Sequence, residues 1–301
     1  MKNNSLKMWF ETARPKTLPL AVASILTGSA LAYWAGKFNL GFTLLCLFTA
    51  TLLQILSNFA NDYGDHQKGS DTAERIGPLR GIQQGGITVG QLKIGLIFMV
   101  IACVISGATL IGLAYESITD LIAFAVLGIL AIVSAITYTV GKKPYGYMGL
   151  GDVSVFIFFG LLAVGGTYYL QVHQLSAEIF LPAVACGLLA SAVLNINNLR
   201  DIEQDRKAGK NTLIVRIGPE KGRVYHGVLL ALAGLCYVMF AVMNFYSPFS
   251  FIFLLALPLL CKHVVFVYSH KDPLALRPVL AQMSILALLT NILFSVGLLI
   301  G

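Results

Sequence analysis

Apolar positions run along this chain in long unbroken stretches, separated by short polar segments rich in Gly, Pro, Lys and Asp. The stretches lack the two-residue alternation of a barrel strand. Each approaches the roughly 20 residues a helix needs to cross a hydrocarbon core. Lipid offers the backbone no hydrogen bonds, so only helices or closed barrels span it. The pattern predicts nine transmembrane helices: Leu18–Ala35, Gly41–Ser57, Leu92–Ala114, Leu121–Val140, Val153–Leu170, Ile179–Ile196, Val224–Met243, Phe249–Tyr268 and Val279–Ile300. The expected fold class is an all-α integral membrane bundle forming one domain over residues 1–301.

Composition agrees: 57% of the 301 residues are hydrophobic and 12% charged, where soluble proteins carry about 25% charged residues. Charge then sets orientation. Of the 21 Lys and Arg, all but Lys37 and Lys262 fall in the N-terminal arm or in alternate connecting loops. The positive-inside rule makes that side cytoplasmic, with the N-terminus in and the C-terminus out, which an odd number of spans requires. The net charge of +7 reads as topology and attraction to anionic membrane lipids, with no nucleic acid as partner. No small-residue cleavage site follows Arg14-Pro15-Lys16, so the first span is not read as a signal peptide. Cys46, Cys103, Cys186, Cys236 and Cys261 all fall inside spans and read as buried free thiols. His66, His173, His226, His263 and His270 show no ligand spacing and read as surface or packing residues.

Two cytoplasmic loops stand out by length, about 58–91 and 199–223. They hold Asp62, Asp65, Asp71 and Glu74, then Asp201, Glu203, Asp205 and Glu220, more than half of the 14 acidic residues. If the second span continues as a helix, Gln54, Asn58, Asn61, Asp62 and Asp65 form a polar stripe descending from its cytoplasmic end. Asn195, Asn198, Asp201 and Asp205 make a similar stripe at the end of the sixth, suggesting a repeated half-site. Unpaired carboxylates repel one another, so gathering them calls for a cation. Mg²⁺ suits: it takes one or two carboxylates per ion and completes its shell with water and phosphate. Two Asp pairs thus point to Mg²⁺ and a diphosphate, with Arg75, Arg80, Arg200, Arg206, Lys207 and Lys210 near enough in sequence to neutralise phosphate oxygens. Tyr138 and Lys142, one helical turn apart, precede the run Pro144-Tyr145-Gly146-Tyr147-Met148-Gly149-Leu150-Gly151-Asp152 on the same side. Taken alone, that segment also fits an interfacial Tyr anchor, topogenic lysines and a helix-capping Asp.

Together these residues resemble the UbiA superfamily of intramembrane aromatic prenyltransferases. The likeness is carried by Arg14-Pro15-Lys16-Thr17, Asn61-Asp62-x-x-Asp65, Tyr138-x-x-x-Lys142, the Pro144–Asp152 run, and Asp201-x-x-x-Asp205 followed by Gly209-Lys210-Asn211-Thr212-Leu213. The commonest family spacing would put a third acidic residue at Gly69; here it is Asp71, a variant that resembles the branch acting on 1,4-dihydroxy-2-naphthoate in menaquinone synthesis. The resemblance implies Mg²⁺ on Asp62, Asp65, Asp201 and Asp205, a polyprenyl diphosphate donor and an aromatic acid acceptor. It implies catalytic roles for Tyr138 and Lys142. Candidate substrate contacts are Asn58, Asn61, Asn198, Arg200 and Lys210, with Arg14, Lys68 and Asp71 from the flanking motifs. An allylic cation would form at the cytoplasmic edge of the inner membrane, be attacked by the naphthoate carbon, and loss of CO₂ would restore aromaticity.

The physics of the charges leaves other acceptors open, 4-hydroxybenzoate, haem or chlorin among them. A cation-coupled transporter would place carboxylates near the bilayer midplane between broken helices, whereas these collect at one face. A CDP-alcohol phosphotransferase would concentrate its Asp motif in a single segment.

Overall fold

The computed structural model describes residues 2–70 and 76–301, with side chains from Leu6 onward. Asp71, Glu74 and Arg75 lie outside the described residues. Every regular element among the described residues is a helix. Eight helical segments are long and apolar enough to cross a membrane: Leu40–Lys68, Val89–Ala114, Ile118–Thr137, Gly151–Val172, Phe180–Arg200, Pro219–Met243, Pro248–Ser269 and Pro273–Ile300. A shorter apolar helix, Leu18–Trp34, corresponds to the first expected span.

The amphipathic arm α1 (Lys2–Thr12) leads into α2 (Leu18–Trp34) through Arg14, whose φ of 53° lies in the left-handed region. For a non-glycine residue before proline that conformation costs about 1–3 kcal/mol. Helix α3 (Leu40–Lys68) starts at Asn39, whose side chain accepts from the Phe42 N–H, and runs on until Gly69 caps it at φ 67°. No proline interrupts residues 58–68, so the first part of the expected loop 58–91 is helix, and Asp62 and Asp65 are fixed rather than floating. A Thr88–Gln91 capping box opens α4 (Val89–Ala114), and Ser117 caps α5 (Ile118–Thr137).

The middle span is α6 (Gly151–Val155) joined to α7 (Ala163–Val172) by a π-helical segment, Phe156–Leu162. Within it a Cβ on Gly160 would stand 2.6 Å from the Ala183 carbonyl oxygen. Glycine there lets the span lie directly against α8 (Phe180–Arg200), the close approach that small residues permit in membranes. Short helices α9 (Ile202–Lys207) and α10 (Leu213–Ile217) replace part of the second expected loop. Then come α11 (Pro219–Met243), a 3₁₀ stretch leading into α12 (Leu257–Ser269), and α13 (Val279–Ile300).

The main core surrounds α8, with α2, α11 and α13 packed about it. Deep inside, Thr27 and Tyr237 both donate to Asn291 Oδ1, at 2.8 and 2.7 Å. A second cluster joins α1, α3 and α4 through Trp9, Phe59, Leu92 and Met99. Helix α5 differs from the rest: it rests on α3 and α4 and buries no residue completely. The expectation that all five cysteines are buried is corrected here. Cys261 is exposed on an outward face and Cys236 half-buried, while Cys46, Cys103 and Cys186 are buried. His226 and His263 are buried together, ring centroids 5.2 Å apart, a pairing between α11 and α12 that sequence spacing does not reveal.

Candidate functional site

The polar end of α3 and the junction between α8 and α9 face each other across a cavity of about 760 Å³. Gln54, Asn58, Asn61 and Asp65 line it from α3, whereas Asp62 of the expected stripe is buried and does not line it; Asn198, Asp201 and Asp205 line it opposite. The stripe on α8 is shorter than expected. Asn195 is fully buried away from the cavity, and the helix ends at Asp201 (φ −99°), which turns the chain so that Asp205 still reaches it. The two halves are therefore not built alike.

Each carboxylate has a cation against it. Arg14 Nη2 and Arg80 Nη1 reach the same oxygen of Asp62, at 2.5 and 2.9 Å, and both arginines line the cavity in front of it. Arg80 also lies 3.7 Å from Asp65. Arg200 forks onto both oxygens of Asp201, at 2.8 and 2.6 Å, and reaches Asn197. Lys210 lies 3.8 Å from Asp205 and over the ring of Tyr147 at 5.3 Å from its centroid. Burial would lower the Lys210 pKa, but the Asp65 and Asp205 carboxylates outweigh it and leave the pKa above its ordinary value. The chain carries its positive charge into the cavity ready for an anion.

Tyr147 is the residue sequence reasoning missed. Its hydroxyl donates to Asp65 Oδ1 at 2.9 Å and meets Ser70 at 2.6 Å. A 3₁₀ turn at Tyr145–Met148 places it, and the only signal was its position in the Pro144–Asp152 run. Tyr138 lines the cavity at the end of α5, held by close glycines: a Cβ on Gly151 would sit 2.6 Å from its hydroxyl. Burial, then the nearby Asp152, raises the Tyr138 pKa, and burial with Asp65 raises that of Tyr147, so both remain protonated donors.

The structure does not bring Lys142 or Lys68 into the cavity. Helix α5 stops at Thr137, and Gly141 (φ 117°) turns the chain away, so Tyr138 and Lys142 do not share a helical face. Lys142 is exposed, and its carbonyl accepts from exposed Lys68 at 3.2 Å. Arg206 is likewise exposed, paired with Glu203 at 2.8 Å, and Lys207 is exposed. Arg200 is buried beside the site rather than lining it.

Among the described residues no three His, Cys, Asp or Glu side chains converge on one point as a complete metal cage. The charged donors at the mouth of the cavity are nevertheless hard carboxylate oxygens with no histidine or cysteine among them, the set that suits Mg²⁺. Carboxylates divided between two walls fit ions that also take phosphate oxygens. Away from the mouth the cavity turns apolar, running past Leu53, Ala50 and Cys46 of α3, Leu127 and Phe124 of α5, and Phe158 and Leu162 of the middle span. From Asp65 to Cys46 the helical rise gives about 28 Å, close to the roughly 30 Å of a hydrocarbon core.

A charged mouth at one end of an all-helical membrane bundle, joined to a long apolar groove, is the architecture of an enzyme for lipid-tailed anions. The model of the UbiA prenyltransferase family matches residues 21–288, and the chain belongs to that family. It is an integral membrane protein. Over 303 residues it is 69% identical to the 1,4-dihydroxy-2-naphthoate octaprenyltransferase of Haemophilus influenzae, covering 100% of this chain and 98% of the relative. The enzyme of the same name from Escherichia coli is 53% identical over 96% of this chain and 94% of its own length. Among solved structures, an apo UbiA homologue from Aeropyrum pernix K1 superposes with a TM-score of 0.69 at 16% identity, covering 93% of this chain and 97% of that one. A UbiA homologue from Archaeoglobus fulgidus bound to GPP and Mg²⁺ gives 0.60 at 16% identity, covering 93% and 98%.

Proposed function

We propose that this protein transfers a polyprenyl group from polyprenyl diphosphate to 1,4-dihydroxy-2-naphthoate with loss of CO₂, giving demethylmenaquinone. The observation that carries the reading is the single cavity that joins three carboxylates and three cationic side chains at its mouth to an apolar groove about as long as a bilayer core is thick. The names of the 69% and 53% identical relatives support the acceptor. The diphosphate lies at the mouth and the tail in the groove.

Arg14, Arg80 and Lys210 take the diphosphate oxygens, releasing Asp62, Asp65 and Asp205 from their present ion pairs to hold Mg²⁺ together with Asp201. Bound there, Mg²⁺ supplies charge stabilisation to the departing diphosphate. Tyr138 donates to a leaving-group or acceptor oxygen, and Asn58, Asn61 and Asn198 orient the substrates. Arg200 holds Asp201 in place through its fork. Lys68 and Lys142 act from outside the groove, where both are exposed. The C–O bond to diphosphate breaks, a C–C bond to the naphthoate ring forms, and the carboxylate leaves as CO₂ with the bonding pair returned to the ring.

The chain forms one domain over residues 1–301, with all nine apolar helices crossing the inner membrane. Its N-terminus and charged mouth face the cytoplasm and its C-terminus the other side; the distribution of Lys and Arg supports this orientation. Product mass spectrometry tests the reaction. Purified protein receives Mg²⁺, a polyprenyl diphosphate, and either 1,4-dihydroxy-2-naphthoate or 4-hydroxybenzoate, with EDTA as control. An EDTA-sensitive, decarboxylated product from the naphthoate alone is expected. Product from the benzoate alone would overturn the acceptor, and none from either would overturn the reaction.

A further inference from the structure

At the end of the groove opposite the charged mouth, two helices that otherwise barely touch are tied together. Tyr169 of α7 donates its hydroxyl to Asp120 Oδ1 in the first turn of α5 at 2.7 Å. The Tyr169 ring packs on Phe124, centroids 5.5 Å apart, and all three residues line the cavity. One turn further out, His173 Nε2 lies 3.4 Å from Glu116 Oε1. Helix α5 has no fully buried residue and packs otherwise on α3 and α4, so these side chains set its distance from α7. Between mouth and tie, the groove is widened by glycines. Gly107, Gly128, Gly165 and Gly166 all line it, and a Cβ on any of them would meet nothing within 4 Å.

We propose that the Tyr169–Asp120 hydrogen bond is a gate on the distal isoprene units of the donor, fixing how much tail the groove holds and so discriminating between donors of different length. The inference rests on the prenyl-transfer reading and adds to it the residues that set tail length. A groove end made of apolar side chains alone would part at small cost for a longer tail. A hydrogen bond between two helices must be broken first, and its carboxylate acceptor makes it stronger than a neutral pair. A short tail ends among the glycines and never meets the tie; a long tail reaches it. Tyr169 is therefore a specificity-determining residue, and Asp120 positions it.

The test compares geranyl diphosphate with an octaprenyl diphosphate, each with 1,4-dihydroxy-2-naphthoate and Mg²⁺, in wild type, Tyr169→Phe, Asp120→Ala, Asp120→Asn and Gly128→Leu. Tyr169→Phe and Asp120→Ala are expected to raise the long-to-short ratio of kcat/KM by roughly three- to tenfold, the worth of one hydrogen bond, through KM for the long donor. Asp120→Asn keeps an acceptor oxygen for Tyr169 and is expected to restore most of the wild-type ratio. Gly128→Leu fills the groove short of the tie and is expected to lower the ratio instead. An unchanged ratio in both Tyr169→Phe and Asp120→Ala would overturn the gate, as would a Gly128→Leu enzyme that handles the long donor as wild type does. Calorimetric binding of non-hydrolysable thiolodiphosphates of the two lengths separates the failures. If no variant turns over but the binding ratio moves as stated, the gate stands and the reaction assignment falls. If turnover is normal and the binding ratio is flat, the gate falls alone.

Discussion

Arg80 reaches Asp62 at 2.9 Å from beyond the C-terminal end of α3, and it shares that one carboxylate oxygen with Arg14. Two guanidinium groups on one buried carboxylate stand together at the cavity wall, where an anion would meet both. Removing either should therefore weaken donor binding more than it weakens the fold, because Asp62 keeps a partner. For Arg80→Ala and Arg14→Ala, kcat/KM for the diphosphate is expected to fall about 10- to 100-fold, the range of a hydrogen bond to a charged group. The double variant should lose more than the product of the single losses, since Asp62 is then buried alone. Steady-state kinetics on the four proteins decides it; simple additivity would sink the shared-oxygen account.

Mg²⁺ dependence should single out the carboxylates. Asp65→Asn, Asp201→Asn and Asp205→Asn keep the shape of the cavity but remove a hard anionic oxygen from it. Each is expected to raise the Mg²⁺ concentration for half-maximal turnover at least about tenfold, by the usual strength of a charge-assisted contact. Tyr147→Phe removes only a neutral donor to Asp65 and should shift the same titration by about threefold or less. A metal titration that is identical in all four variants would exclude these oxygens as ligands.

Much of this site could be read in the sequence, and the reason is helical geometry. Once α3 was taken as continuing past its apolar part, the three- and four-residue spacing put Gln54, Asn58, Asn61 and Asp65 on one wall, and they line the cavity together. Nine apolar helical segments followed from length, but the second, expected over Gly41–Ser57, continues to Lys68 before Gly69 stops it, and the seventh starts at Pro219 rather than Val224. What spacing could not supply was the path of chain outside regular helices. Gly141 at positive φ carries Lys142 away from Tyr138, and a 3₁₀ turn brings Tyr147 to Asp65. The end of α8 at Asp201 removes Asn195 from the stripe, and the Tyr169–Asp120 contact joins segments with no sequence signal between them.

Glycine next to Tyr138 gives a steric prediction. A Cβ at position 151 would press on the Tyr138 hydroxyl at 2.6 Å, whereas one at Gly234 on α11 meets nothing within 4 Å. Gly151→Ala is expected to displace Tyr138 and lower kcat at least about tenfold, in keeping with the sensitivity of catalysis to small misplacements. Gly234→Ala should keep wild-type kcat. If Gly151→Ala turned over normally, Tyr138 would not need its present position.

The pH profile should be flat on its alkaline side over the ordinary working range. Burial alone would lower the Lys210 pKa into view, but Asp65 and Asp205 raise it above its usual value, near 10.4 in model compounds. The raised folded-state pKa makes its contribution to stability complete below the unfolded value and lost only as pH climbs through the folded one. Tyr138 and Tyr147 are also shifted upward. No loss of kcat/KM assignable to these groups is expected below about pH 10. An alkaline limb near pH 8 that disappears in Lys210→Met would show that the carboxylates do not hold the ammonium as described.

Stability in the membrane interior should depend on Asn291 more than on either of its partners. Its Oδ1 accepts from Tyr237 and Thr27, and its amide donates to the Ala287 carbonyl at 2.7 Å. The single Thr27 hydroxyl proton is shared with the Ala23 carbonyl, 2.9 Å from the same oxygen, so Thr27 keeps an acceptor and loses least when Asn291 is removed. Tyr237→Phe leaves Asn291 with Thr27 and should cost about 0.6 kcal/mol, the average for an interhelical hydrogen bond in a membrane. Asn291→Leu strands the Tyr237 hydroxyl in a fully buried position and should cost about 1–3 kcal/mol. None of the three lines the main cavity, so the folded fraction of each variant should keep its kcat. Unfolding in mixed micelles, with turnover measured on the same samples, checks both halves. Equal losses for Tyr237→Phe and Asn291→Leu would mean that the asparagine is not the hub of the cluster.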